Sequence, residues 1–464
     1  MKNEKGSLSN TDMEKKESRR RRFLKVSTFV AEVALVGILA SSFGHPLIEA
    51  ATKDRISPSK HNKKPELVFP VISDVHIKES GTSDLKKFET ALDQLNRLAP
   101  KQDALVTVGD LTDHGRVEEY DRFMSVYNAK KQPQAVSMLA IGNHDYGNGL
   151  SAADAQKRFL DQTGMKSTQY HKVIKGYHFI VMGTEDGRTE GTFSKKQIAW
   201  LSERLKQAKK RDPQKPIFVF HHQPIKDTLY GSEWGIDINR DLLYDTLKDY
   251  PQVITFSGHT HYPLEDPRII HQKDFTSIGT STLSYLWLDA GRIQGEVPQD
   301  YADTLSQGLI VKVYKNKVKI ERRNFHSNGW SGKPFEIQYP VKKSHFKYTE
   351  TRDRIKPRFK YKSAISVVKE KTTATDLEIK FDQAVDNTLV HDYKIEAKNM
   401  KTGKVEKEFL AFSEFYKDPV PNPLTLAISG LTPDTQYQIE VRAIDSFGNA
   451  SDRTLKVIGK TKRS

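Results

Sequence analysis

Apolar positions recur along this chain in two rhythms, and the change from one to the other divides it. From Leu67 onward, short uninterrupted apolar runs alternate with stretches in which apolar residues return every three or four positions. The runs at 67–72, 104–108, 136–141, 179–182, 217–220 and 253–256 read as buried strands. Between them, Leu85, Phe88, Leu92 and Leu95 share one helical face, and a charged helix is expected over 117–127. Ser194 with Gln197 reads as a capping box opening a helix that carries Ile198, Leu201 and Leu205. Pro70 is out of place in the first run, because proline belongs at a strand end, edge or bulge. The runs 309–313 and 317–320, turning at Lys315 and Asn316, read as a late hairpin. Alternating strands and helices predict a layered α/β domain over 66–340.

Residues 341–362 are strongly basic and contain Pro357, so they are read as a linker. Beyond them the period falls to two: Leu377, Ile379 and Phe381 alternate with polar residues, as do Tyr437, Ile439, Val441 and Ala443. No helical stretch interrupts this pattern, and 363–464 is expected to be a small all-β sandwich. The run Leu431, Thr432, Pro433, Asp434, Thr435, Gln436, Tyr437 resembles the tyrosine corner of fibronectin type III domains.

The other end of the chain reads differently. A polar stretch closes on Arg19, Arg20, Arg21 and Arg22, an apolar segment follows over 26–43, and Ala50 and Ala51 lie just beyond. That order reads 1–51 as an export signal and 52–65 as a flexible lead-in. Residues 20–25, Arg-Arg-Arg-Phe-Leu-Lys, resemble a twin-arginine signal, which implies export of folded cargo from a bacterium. The alternative is an uncleaved membrane anchor, which Glu32 disfavours. The expected location is extracellular, or associated with the wall or membrane.

Composition narrows the chemistry. The 464 residues carry a net charge of +15 and no cysteine. Disulfides, thiolate metal sites and cysteine nucleophiles are therefore excluded. The charge suits anionic surroundings such as phosphate-bearing substrates or an anionic wall polymer. Nucleic acid would suit it too, but no recognised nucleic-acid-binding motif accompanies the charge, so specific binding of that kind is not expected.

Five clusters stand at or just past the ends of the expected strands. They are Asp74-Val75-His76, Gly109-Asp110, Gly142-Asn143-His144-Asp145, His221-His222-Gln223-Pro224 and Gly258-His259-Thr260-His261. Carboxylate, amide and imidazole groups in this mixture suit Mn, Fe, Zn or Co, and they exceed what one ion needs. In order and spacing they resemble the calcineurin-like metallophosphoesterase superfamily over about 66–335.

That resemblance implies a four-layer αββα sandwich and two divalent or trivalent ions. By motif, Asp74, His76 and His261 would hold one ion, Asn143, His222 and His259 the other, and Asp110 would bridge them. His221 is the competitor of His222; the latter is chosen because it precedes Pro224 by two residues. Two such ions can activate water and polarise a phosphoryl group, so no side chain need attack. His144 is expected to be the general acid, with Asp145 orienting its ring or raising its pKa. His114 is a weaker candidate for substrate contact. The segment 109–120, with Gly115 and Tyr120, looks like the branch holding class III cyclic nucleotide phosphodiesterases and bacterial glycerophosphodiesterases. The expected function is thus an exported phosphodiesterase. The alternatives are a phosphomonoesterase or nucleotidase of the same superfamily and, from another class, a non-catalytic wall-binding protein. Nothing in the sequence sets the oligomeric state.

Overall fold

The computed structural model describes residues 64–288 and 305–464. The export segment expected over 1–51 and nearly all of the lead-in lie outside the described residues. Among the described residues no helix is long and apolar enough to cross a membrane.

The first part of the chain forms β1 (Leu67–Ile72), β2 (Ala104–Val108), β3 (Val136–Ala140), β4 (Tyr170–Ile174), β5 (Tyr177–Met182), β6 (Ile217–His221), β7 (Val253–Ser257), β8 (Ile270–Gln272), β9 (Thr276–Gly279), β10 (Gln307–Tyr314), β11 (Lys317–Asn324), β12 (Gly329–Trp330) and β13 (Phe335–Gln338). They make two sheets, one ordered β12-β11-β10-β1-β2-β3 with β13 beside β11, the other β4-β5-β6-β7-β9-β8. The sheets face each other across a dry core, in which the Phe69 ring lies 4.9 Å from both Phe179 and Phe218. On the far side of the first sheet, Ile72, Leu105 and Leu139 pack against helices Ser83–Leu98, Val117–Lys130 and Ala152–Thr163. Ile180, Val219 and Val253 do the same on the second sheet against Lys195–Arg211 and Arg240–Leu247. Four layers result, αββα, because each sheet is apolar on both faces and must bury both.

Three local expectations change. β1 is central, between β10 and β2, yet its pairing with β2 is confined to Val71 and Ile72, so Pro70 sits before that ladder begins. The Val68 N–H turns instead to the Asp103 carboxylate at 2.9 Å. Ser194 caps its helix by accepting the Gln197 N–H at 3.2 Å, but the Gln197 side chain donates to the Gly183 carbonyl. The return bond of the capping box comes from Glu185, whose carboxylate takes the Ser194 N–H and hydroxyl. The 341–362 segment lies along the first part of the chain: Tyr348 packs on Phe335 at 5.4 Å, and Arg352 Nη2 donates to the Ile270 carbonyl at 3.1 Å.

The remaining strands are β14 (Ile365–Val367), β15 (Asp376–Phe381), β16 (Val390–Asn399), β17 (Val405–Phe412), β18 (Leu424–Ser429), β19 (Gln436–Asp445) and β20 (Leu455–Lys460). They form a sandwich of a three-stranded sheet, β14-β15-β18, and a four-stranded sheet, β17-β16-β19-β20, resembling fibronectin type III domains. Leu377, Ile379, Phe381, Ile439 and Val441 fill its core, as their alternation requires. The Tyr437 phenol accepts the Thr432 N–H at 2.9 Å and so ties the strand to the turn before it.

Candidate functional site

β1, β2 and β3 are mutually parallel in the first sheet, and β5, β6, β7 and β9 in the second. Their carboxyl ends open onto one edge, the place where α/β sheets bind ligands. All five sequence clusters arrive there. The chain must turn sharply at each strand end, and Asp74, His76, Asp110, His259 and His261 all take left-handed backbone angles, with φ of 52°, 49°, 49°, 69° and 54°. Such angles cost about 1–3 kcal/mol each and persist where surrounding structure imposes them. Glycine admits the close approach: a Cβ on Gly142 would stand 2.1 Å from Asp110 Oδ1, and one on Gly258 2.3 Å from Asp74 Oδ2.

Two groups of side chains meet at this edge. In the first, Asp74 Oδ1 lies 3.1 Å from His261 Nε2, which in turn is 3.2 Å from His76 Nε2. In the second, Asp110 Oδ2 lies 3.0 Å from His222 Nε2, with the His259 ring 5.2 Å from that of His222. Asp110 joins them, since the same Oδ2 is 3.7 Å from His76 Nε2. All of these side chains are buried or nearly so.

The ring nitrogens are oriented from behind. His261 Nδ1–H donates to the Tyr285 carbonyl at 2.7 Å and His222 Nδ1–H to the Val108 carbonyl at 2.8 Å. His76 Nδ1 faces Asp113 Oδ1 at 3.3 Å. Each arrangement turns Nε2 inward, the form in which neutral imidazole binds metal. The buried Nε2 of His259 has no hydrogen-bond partner, and that of His222 faces only the Asp110 carboxylate, at 3.0 Å. Orphaned acceptors beside carboxylates are costly unless something positive satisfies them, and a divalent cation fits this oxygen and nitrogen donor set.

Without an ion, the charges of the cluster compensate one another. Burial would raise the pKa of Asp110, but the facing His222 and neighbouring imidazoles hold it well below the usual carboxylate range. Burial works against the charged His222, yet Asp110 lifts it to about 9, whereas burial and the charge of His222 press His259 down to about 3.

Of the pair left open by sequence, His222 is the one in the cluster. His221 points to the other side, donating Nδ1–H to the Gln223 carbonyl at 2.6 Å near Phe193. Strand alternation explains this, because His222 shares the parity of Phe218 and Phe220, which face the sheet-sheet core. His222→Ala is expected to lower metal content, while His221→Ala should alter thermal stability alone. Metal analysis after dialysis, beside a melting curve, checks both.

Asn143 stands at the same edge, its Oδ1 accepting from Gln223 Nε2 at 3.3 Å. The His144 N–H donates to Asp110 Oδ1 at 2.9 Å, and its ring, partly exposed, lies 4.5 Å from that of His76. Its Nδ1–H donates to the Asp113 carbonyl at 2.9 Å, which leaves Nε2 to carry a transferable proton. Burial opposes the imidazolium, but Asp110 and Asp113 outweigh it and raise the His144 pKa above its ordinary value.

Asp145 does not orient that ring. Its carboxylate faces the opposite way, accepting the Gly142 N–H at 2.9 Å, the Thr112 N–H at 3.1 Å and the Thr112 hydroxyl at 2.7 Å. Burial and the charge of Asp110 push its pKa up to about 6. Asp145 thus knits the β2 and β3 loops together, and Asp113 takes the orienting part. His114 is half exposed at the rim, its Nδ1 3.4 Å from Asp113 Oδ2. Sequence reading also missed Tyr285, whose ring flanks His261 at 4.4 Å and His76 at 5.3 Å.

Comparison with known proteins bears on the chemistry. Residues 68–263 match the calcineurin-like phosphoesterase family. A probable glycerophosphodiester phosphodiesterase of Arcobacter nitrofigilis is 28% identical over 42% of this chain and 72% of its own length. A 3′,5′-cyclic-nucleotide phosphodiesterase of a Nostoc species is 26% identical over 43% of this chain and 73% of its own. A cAMP/cGMP dual specificity phosphodiesterase of Mycobacterium tuberculosis is 29% identical over 45% and 65%. The described geometry and these likenesses converge: residues 68–263 are a calcineurin-like phosphoesterase domain, and the protein is a hydrolase acting on phosphate esters.

Proposed function

We propose that the protein is an exported two-metal phosphodiesterase. Asp74, His76 and His261 hold one ion, Asn143, His222 and His259 the other, and Asp110 is shared. The carrying observation is the position of Asp110, whose Oδ2 lies between His76 Nε2 at 3.7 Å and His222 Nε2 at 3.0 Å. Ions of Mn, Fe, Zn or Co in such a site activate water and offset charge on the phosphoryl group.

The side chains do the rest. His144, held at Nδ1 by the Asp113 carbonyl, donates its Nε2 proton to the departing oxygen. Asp145 keeps the two loops that carry Asp110 and His144 in register. The relatives named above act on glycerophosphodiesters and cyclic nucleotides, and the 109–120 segment points the same way, so a diester is the favoured substrate class. Export rests on the 20–25 arginine pattern, and the net charge of +15 suits phosphate-bearing material at a cell surface.

The test uses the chain from residue 52 onward with an aryl phosphodiester and an aryl phosphomonoester, with Mn and with chelator. Chelator should abolish turnover, and the diester should lead in kcat/KM by at least about tenfold, some 1.4 kcal/mol in barrier. A lead for the monoester would transfer the assignment to a phosphomonoesterase. Two bound ions without turnover of either would favour the binding-protein reading.

A further inference from the structure

We infer that the C-terminal sandwich is a working part of this site: its Phe412, Phe415 and Tyr416 clamp the segment 283–288, and through that segment they position His261. The inference rests on the reading of His261 as a metal ligand.

The segment belongs to no helix or strand, yet it is bonded to two of the proposed ligands and their neighbour. The Leu283 N–H donates to the Ser73 carbonyl at 3.1 Å, and the Ser284 N–H to the Asp74 carbonyl at 3.2 Å. The Trp287 N–H donates to the His261 carbonyl at 3.2 Å. In return, the Tyr285 carbonyl accepts His261 Nδ1–H at 2.7 Å, which fixes the tautomer and the direction of Nε2.

Apolar packing on the outer side of this segment comes from the sandwich. Leu286, Leu288 and Leu305 are buried in a cluster whose other buried members are Phe412, Phe415 and Tyr416. Phe412 ends β17 and the other two occupy the turn after it. A second contact steadies that turn. The ring of His391, on β16, lies 4.8 Å from that of Phe415, and its Nε2 reaches Tyr230 Oη at 3.3 Å and Asp266 Oδ2 at 3.5 Å. A segment lacking secondary structure opens locally when its few buried apolar contacts are removed. Without the sandwich patch, Leu283 would stay anchored in the outer core of the first sheet and Ser284 by Lys87. Residues 285–288 would keep only the bonds to His261 and the ring contacts of Tyr285 and Trp287, and the partner of His261 would no longer be fixed.

The experiment compares the wild type with Phe415→Ala, Leu288→Ala, which removes the other side of the contact, and Phe415→Leu, which keeps an apolar filling. Ile428→Val, a change in the sandwich core away from the clamp, reports generic loss of stability. Hydrogen exchange is followed across 283–288 in metal-free protein, and Mn binding is titrated. Expected for both alanine variants are faster exchange across 283–288 and weakening of one ion by about 10–100-fold, the range for lost outer-shell support, with the second ion unchanged. Phe415→Leu should restore both readouts, and Ile428→Val should move neither. Unaltered exchange in both alanine variants overturns the clamp. Faster exchange with both ions bound normally overturns the step from clamp to ligand. His261→Ala, titrated alongside, separates the causes: if it too binds both ions, the ligand reading has failed, and if it loses one, the positioning has.

Discussion

Asp110→Asn is expected to fold like the wild type and to lose both metal ions and turnover together. The amide keeps the size of the carboxylate and an oxygen that can accept the His144 N–H, which donates to Asp110 Oδ1 at 2.9 Å. It removes the charge that faces His222 at 3.0 Å and His76 at 3.7 Å. Loss of an outer-shell partner to a metal ligand lowers affinity or activity by about 10–100-fold, and loss of a ligand common to two ions should exceed that range. His222 should change as well. Asp110 is the chief influence raising its pKa against burial, so in the variant its imidazole becomes neutral at lower pH. Metal analysis, a melting curve and diester turnover on one preparation form the check. An Asp110→Asn protein that retains one ion at wild-type affinity and a tenth or more of wild-type kcat/KM would overturn the bridging role.

The contrast between what sequence discloses at this edge and what it hides has a physical basis. Asp74, Asp110, Asn143, His222, His259 and His261 could be found because each follows an apolar run directly; strand and functional group are encoded side by side. Even the choice of His222 over His221 was available from parity along β6. The partners behind them were not legible, since they come from elsewhere in the chain. Asp113 meets His76 across 37 positions and Tyr285 meets His261 across 24; Tyr285 belongs to no motif, and Asp113, though inside the 109–120 segment, carries no sign there of its pairing with His76. The reading of Asp145 failed for a related reason: adjacency to His144 suggested contact, but successive side chains at a turn diverge, and this carboxylate serves Thr112 and Gly142. Helix Ala152–Thr163 escaped notice because it buries only Ala155, Phe159 and Thr163, too sparse a stripe to register. Phe412, Phe415 and Tyr416 stand close together in the sequence, but Leu286, Leu288 and Leu305, the residues they are buried with, lie far away along the chain. A destination on another domain is not encoded locally.

His144→Ala should separate binding from bond cleavage. Both ions should remain, because the proposed ligands reach the cluster independently of this ring and only its backbone N–H touches Asp110. What disappears is the Nε2 proton, oriented by the bond from Nδ1–H to the Asp113 carbonyl at 2.9 Å. Positioned proton transfer contributes about 10²–10⁴-fold, and its value grows as the leaving group becomes more basic. A nitrophenolate departs readily without a proton, whereas an alkoxide such as that of glycerol does not. Along a series of diesters with leaving groups of rising pKa, the variant should therefore match the wild type within about tenfold at the acidic end and fall behind by about 10²-fold or more at the basic end. The slope of log kcat against leaving-group pKa steepens accordingly. Asp113→Asn gives the complementary result. It leaves the backbone carbonyl that orients His144 in place, removes a charge that helps raise the His144 pKa, and alters the carboxylate facing His76 at 3.3 Å. It should therefore weaken metal binding and, at a pH low enough to protonate His144 in both proteins, leave the slope near that of the wild type. Parallel slopes for His144→Ala and the wild type would remove His144 from proton transfer. The acid would then have to be sought among the remaining polar groups at the rim, beginning with His114.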